Sequence, residues 1–191
     1  MIKQGRRSGM ASNIKLVNVC CLARIDNILN LKQLLAELKN ARPVKSSKFA
    51  SVVVKTEEET FLIYASGKIV SVGGKSVKSG EKAVRKLVQE FNEVCGVPCE
   101  LVDFRVTNLV GSTSLGYKIR LDEMYEANRR NCTWEAELFP GLKFRYKFLG
   151  VSVTAFASGK INVLGAKTWD QIEQAAERFK RIAPRYKCRY Q

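Results

Sequence analysis

The chain has 191 residues, 46% of them hydrophobic, with 33 Lys and Arg against 18 Asp and Glu and no histidine, for a formal net charge of +15. That length suffices for one large domain or two small ones with a real core, and no apolar run is long enough to span a bilayer. The charge points to a polyanionic partner, nucleic acid ahead of a membrane surface, while the missing histidine removes the commonest general base and the Ser-His and Cys-His nucleophile pairs.

The opening MIKQGRRSGM is basic and leads into no apolar signal core, so a cytosolic or nuclear setting is the default. A β-rich segment, KLVNVCCL, precedes NLKQLLAELKNA, which reads as a helix capped by Asn30 with Leu31, Leu34, Leu35 and Leu38 on one face. Three short strands follow, ASVVVK, FLIYA and KIVSV, with Glu57, Glu58 and Glu59 in a hairpin loop between the first two. SGEKAVRKLVQEFNEV then reads as a longer helix with Ala83, Leu87 and Phe91 spaced by four. The second half offers the strands LKFRYKF, VSVTAF and INVLG, and closes with the helix TWDQIEQAAERFKRI, which aligns Ile172, Ala176 and Phe179.

The two halves are versions of one unit. FLIYASGKIVSVGGK (61–75) and VTAFASGKINVLGAK (153–167) share the A-S-G-K turn and the G-[GA]-K ending. Asn18 and Asn108 stand 90 apart, as do Phe49 and Phe139, while Tyr64 and Phe156 stand 92 apart, as do Lys68 and Lys160. The order β-α-β-β-β-α, written twice, predicts a pseudo-twofold pair with a broad antiparallel sheet, helices over one face and the other face open.

Alternation assigns side chains to that open face. Phe49, Ser51, Val53 and Lys55 share a side, Val70 and Val72 share one, and Phe139, Lys143, Arg145 and Lys147 line up. An apolar patch with a basic fringe suits the DNA minor groove, and the alternative is a face covered by another protein. The six cysteines, Cys20, Cys21, Cys95, Cys99, Cys132 and Cys188, read as buried thiols rather than a disulfide framework or a zinc site, because no second pair matches Cys95 and Cys99. The S-G-K turns lack the spacing of a phosphate-binding Walker loop.

On VNV, FLIYASGKIVSVGGK, GEKAVRKLV, VDFRVTNLVGS, IRLDEM, WEAELFPGLKFRYK and FASGKINVLGAK, the chain resembles the TATA-binding protein family from about Ile14 to Tyr186. The resemblance implies an α+β fold, a saddle made of two repeats at 14–103 and 104–186 between basic tails at 1–13 and 187–191, with a ten-stranded antiparallel sheet and helices on the convex face. It implies a non-enzymatic, cofactor-free transcription initiation factor of the nucleus, which binds and bends A·T-rich promoter DNA and nucleates a preinitiation complex. The runner-up is a related scaffold that acts mainly through protein partners.

The same resemblance assigns residues. Phe49, Phe139 and Phe156 match the family's DNA wedges and Tyr64 holds the fourth wedge position; Asn18 and Asn108 match its central base-bonding asparagines; Lys55, Lys68, Arg145 and Lys160 match its flanking cations. Cys20, Val70, Val72, Val110, Asn162 and Leu164 complete the implied DNA contacts. Glu135, Glu137 and Leu138 match the stirrup that receives transcription factor IIB, although the family's tyrosine-glutamate-proline-glutamate reads WEAE here. A IIA-like partner and self-association through the concave face without DNA are implied as well. Val72 and Leu164 stand where the family has threonine, and Asn162 where it has valine, which implies an A·T-rich preference with a shallower optimum.

Overall fold

The structure, a computed structural model, describes residues 13–44 and 50–188. Strand β1 (Lys15–Ile25) leads to helix α1 (Leu31–Glu37), then to β2 (Ala41–Pro43), β3 (Ser51–Lys55), β4 (Thr60–Tyr64), β5 (Lys68–Gly74) and helix α2 (Val77–Glu93). The series then recurs as β6 (Leu101–Ser114), α3 (Leu121–Asn128), β7 (Cys132–Thr133), β8 (Leu142–Tyr146), β9 (Val151–Ala155), β10 (Lys160–Ala166) and α4 (Trp169–Ile182). The ten strands form one antiparallel sheet in the order β2-β3-β4-β5-β1-β6-β10-β9-β8-β7.

Three details differ from the sequence reading. Each repeat has a fifth strand, β2 or β7, of three and two residues, too short to display alternation. Strand β8 ends at Tyr146, and Lys147–Leu149 form a 3-10 turn closed by Gly150 at φ 68°, so Lys147 does not continue the row of Lys143 and Arg145. Glu59 leaves the hairpin loop inward: it is only 3% exposed, its Oε2 accepts from the Ser71 hydroxyl, and its Oε1 has no partner.

The chain divides into two compact units, one made of Leu16–Val110 with Leu164–Trp169, the other of Gly111–Val163 with Asp170–Gln191 and the stretch that ends at Lys15. In the first unit, Ala23 and Ile25 of β1, Val52 and Val54 of β3, Phe61 and Ile63 of β4 and Ile69 of β5 pack under Leu34 of α1 and Val84, Leu87, Val88 and Phe91 of α2. The α2 residues recur at helical spacing, and that single stripe explains why the helix lies on the sheet. Both helices are capped as the sequence demands: the Asn30 side chain accepts from Lys32 N and Gln33 N, and Ser76 and Ser79 make a reciprocal capping box.

In the other unit, Leu142, Phe144 and Tyr146 of β8, Val151, Val153 and Ala155 of β9, and Ile161 and Val163 of β10 are buried, as are Ile172, Ala175, Ala176 and Phe179 of α4. Phe144 meets Phe179 edge to face at 6.1 Å between centroids. Every second residue of these strands is thereby used up in the core, and the intervening ones remain on the open side.

Candidate nucleic-acid interface

Burial along the strands identifies the open side in each unit. On β5, Ile69 and Ser71 are buried while Val72 is 41% exposed and Val70 is half-buried. On β10, Ile161 and Val163 are buried while Lys160 and Leu164 are exposed and Asn162 is half-buried. Asn18, Cys20 and Asn108 are half-buried on the same alternation, as is Val110. All of these side chains alternate with buried neighbours, as in strands with one covered face.

The two asparagines, both in the first unit, are held alike. Asn18 Oδ1 accepts from Gly73 N at 3.0 Å, and Asn108 Oδ1 accepts from Gly165 N at 3.0 Å. A backbone N–H can only donate, so each amide oxygen is committed to its glycine and each NH2 is the group left to donate elsewhere. Both glycines have positive φ, 107° at Gly73 and 88° at Gly165, a conformation that side-chain-bearing residues rarely adopt and that aims the N–H at the amide. These glycines were absent from the sequence-derived site; their recurrence at a spacing of 92 in the S-G-K segments was the signal. The asparagines differ in one respect: Asn18 Nδ2 also reaches Cys20 Sγ at 3.6 Å.

The aromatic positions lie where strands enter or leave the sheet. Phe139 is 43% exposed and meets Phe156 edge to face, centroids 5.9 Å apart. Both rings, with Thr154, converge on Gly141, where an added Cβ would stand 2.5 Å from Phe139 Cε1 and 3.1 Å from Phe156 Cε1. Gly141 is thus the floor on which the two rings rest. In the first unit Tyr64 is half-buried with Lys68 Nζ 5.6 Å from its ring centroid; Phe49 lies outside the described residues.

The cations Lys55, Lys68, Arg145 and Lys160 are all exposed. Lys143 joins them, its Nζ 5.8 Å from the Phe139 ring. In each unit a positive group stands beside an aromatic ring, and the first unit adds amide donors, groups that suit a polyanion with acceptor-lined edges. Glu135, Glu137 and Leu138 stand apart from these in the loop between β7 and β8, where Leu138 is 81% exposed and Glu135 O accepts from both Leu138 N and Phe139 N.

Cys21, Cys95, Cys99 and Cys132 are buried, whereas Cys20 and Cys188 are only half-buried, which corrects the reading of all six as buried thiols. Burial pushes Cys21, Cys95 and Cys132 up to about 11, so each stays protonated and is a poor nucleophile and metal ligand. Among the described residues no group of three His, Cys, Asp or Glu side chains could hold a metal ion, and no helix is long and apolar enough to cross a membrane.

The family model for "Transcription factor TFIID (or TATA-binding protein, TBP)" matches residues 13–94 and 103–185. The chain belongs to the TATA-binding protein family. Among its relatives, the TATA-box-binding protein of Tetrahymena thermophila is 32% identical over 167 residues, covering 86% of this chain and 67% of that protein. TATA-box-binding protein 1 of Arabidopsis thaliana is 35% identical over 164 residues, 85% of this chain and 81% of that one. Among solved structures, the Methanococcus jannaschii TBP matches with a TM-score of 0.79 at 26% identity, over 90% of this chain and 98% of that chain. Each of the two matched stretches contains one copy of the doubled S-G-K segment.

Proposed function

We propose that this protein is a general transcription initiation factor that binds A·T-rich promoter DNA through the minor groove, bends it and nucleates assembly of an initiation complex. The observation that carries the reading is the pair of asparagines whose amide oxygens are tied to Gly73 and Gly165. They hold NH2 donors outward, toward the acceptors that A·T pairs present in the minor groove. Val72 and Leu164 pack beside them without donating, so guanine is excluded by shape at the base pairs they face while TATA is preferred only shallowly, and deformable T-A steps supply the remaining selectivity. Phe139 and Phe156 act as the wedge of the second repeat, Tyr64 and Phe49 as that of the first. Glu135, Glu137 and Leu138 receive a IIB-like factor; a IIA-like factor is a second partner, and the exposed apolar open face pairs with a second copy when DNA is absent. The site of action is the nucleus.

A gel-shift titration on TATA and scrambled duplexes, read together with a bend assay, tests this reading. Phe139→Ala and Phe156→Ala are expected to reduce bending more than they reduce background binding, because unstacking needs the rings while charge alone supplies the background. Parent-like bending by both variants would remove the wedge from the mechanism.

A further inference from the structure

The open faces of the two units are not chemically alike. In the first unit Val70 lies opposite Leu22 of β1 and Leu62 of β4, and Leu62 lies opposite Val53 of β3, an apolar row across four strands. The offsets of 90 and 92 carry those four positions to Ser112, Asn162, Thr154 and Lys143, every one of them polar. Lys143 and Thr154 are cross-strand partners, so this row too is continuous where β8 meets β9.

Asn162 is the amide of that polar row. It sits half-buried between the fully buried Ile161 and Val163, and its Oδ1 is buried with no hydrogen-bond partner. A buried amide oxygen left without a donor is a rare and costly arrangement in a protein interior. It also means that no internal bond fixes the amide, so a half-turn of its last torsion exchanges donor for acceptor. Asn18 and Asn108 lack this freedom, because Gly73 N and Gly165 N hold their oxygens.

In the minor groove the group that separates G·C from A·T is the guanine 2-amino group, a donor. Against Leu22, Val70, Leu62 and Val53 that amino group would be desolvated with no acceptor to meet it. Against Asn162 it meets the amide oxygen once that half-turn has brought the oxygen out of its buried, partnerless position. We infer that Asn162 is a specificity-determining residue that accepts a hydrogen bond from a guanine 2-amino group, so that the recognised site is restricted to A·T in one half and admits G·C in the other. This rests on the minor-groove reading above.

The test uses the parent protein first, on an A·T-rich duplex in which 2,6-diaminopurine replaces adenine one position at a time. That base adds the minor-groove amino group to an otherwise A·T-like pair, and inosine in place of guanine removes it from a G·C-like pair. The expected profile is one-sided: about a tenfold loss of affinity where the amino group falls in one half, and little change or a gain at one position in the other half. Asn162→Val should make both halves sensitive, and Val70→Asn should make both tolerant at the matching position. Equal penalties in both halves of the parent profile, or an Asn162→Val profile identical to the parent's, would overturn the inference while leaving minor-groove binding intact. A parent that shows no preference for the A·T-rich duplex over a scrambled one would instead sink the minor-groove reading itself, and this inference with it.

Discussion

Tyr64 holds the position that the repeat assigns to Phe156, 92 residues on, and differs by one hydroxyl. A hydroxyl that must leave water without finding a partner opposes insertion by about 1–3 kcal/mol, while the ring itself packs as phenylalanine does. The neighbouring Lys68 ammonium, 5.6 Å from the ring centroid, interacts with the ring face and would do so equally with phenylalanine. Tyr64→Phe is therefore expected to keep or raise affinity for A·T-rich duplex, measured by anisotropy titration; a loss beyond tenfold would mean that the hydroxyl makes a specific bond to DNA. At this scale the sequence was highly legible for direction. Alternation alone put Val70, Val72, Asn162 and Leu164 on one side, because period two needs no knowledge of neighbours. It was blind to what holds a side chain in place: the bond from Gly73 N to Asn18 Oδ1 spans 55 residues, and no local pattern announces it. The free acceptor of Asn162 was hidden for the same reason, since an amide's partners belong to the fold around it.

Elements were legible wherever they carried a long apolar period or a cap. Helix α2 announced itself through Ala83, Leu87 and Phe91, and α1 through Asn30 and its leucines, whereas the Ser76 cap emerged only in the structure. Strands β2 and β7 did not, because three and two residues cannot show a period. Glu59 misled more instructively: in a run of three glutamates it looks solvated, yet it opens β4 and turns under α2, with Gly74 and Gly80 leaving room for its carboxyl group. Among the described residues, the only hydrogen bond its carboxyl group accepts comes from Ser71 Oγ. Ser71→Val removes that donor from a buried carboxyl group and is expected to destabilise the protein by about 1–3 kcal/mol in urea unfolding. The second repeat carries Val163 at the matching position. Adding Glu59→Met to Ser71→Val should recover most of the loss, because a buried polar pair replaced by apolar groups of similar volume is often neutral or stabilising. A double variant as unstable as Ser71→Val alone would show that the carboxyl–hydroxyl contact is not the source of the effect.

For the molecule as a whole, charge and shape contribute separately to recognition, and salt distinguishes them. A chain of +15 is drawn to any duplex, and that background carries no sequence information. On the proposed reading, specificity comes from groups that are neutral, the amides of Asn18, Asn108 and Asn162 and the side chains of Val72 and Leu164, none of which displaces a counterion. Each phosphate neutralised on duplex DNA contributes about −0.9 to the slope of log affinity against log salt. If Lys55, Lys68, Arg145 and Lys160, all exposed, each meet one phosphate, they account for about −3.6 of the slope. Replacing Lys68 and Lys160 by alanine, one in each S-G-K turn, should then flatten the slope by about 1.8 and weaken TATA and scrambled duplexes alike. Asn162→Val should leave the slope unchanged on every duplex while altering which duplex is preferred. The measurement is a set of titrations across a range of salt concentrations, for parent and both variants, on both duplexes. A slope that stays constant in the double lysine variant would place the phosphate contacts on other cations. A slope that changes in Asn162→Val would mean that this neutral side chain positions charged neighbours rather than reading a base, and the division between charge and shape would fail at a residue where the two repeats differ.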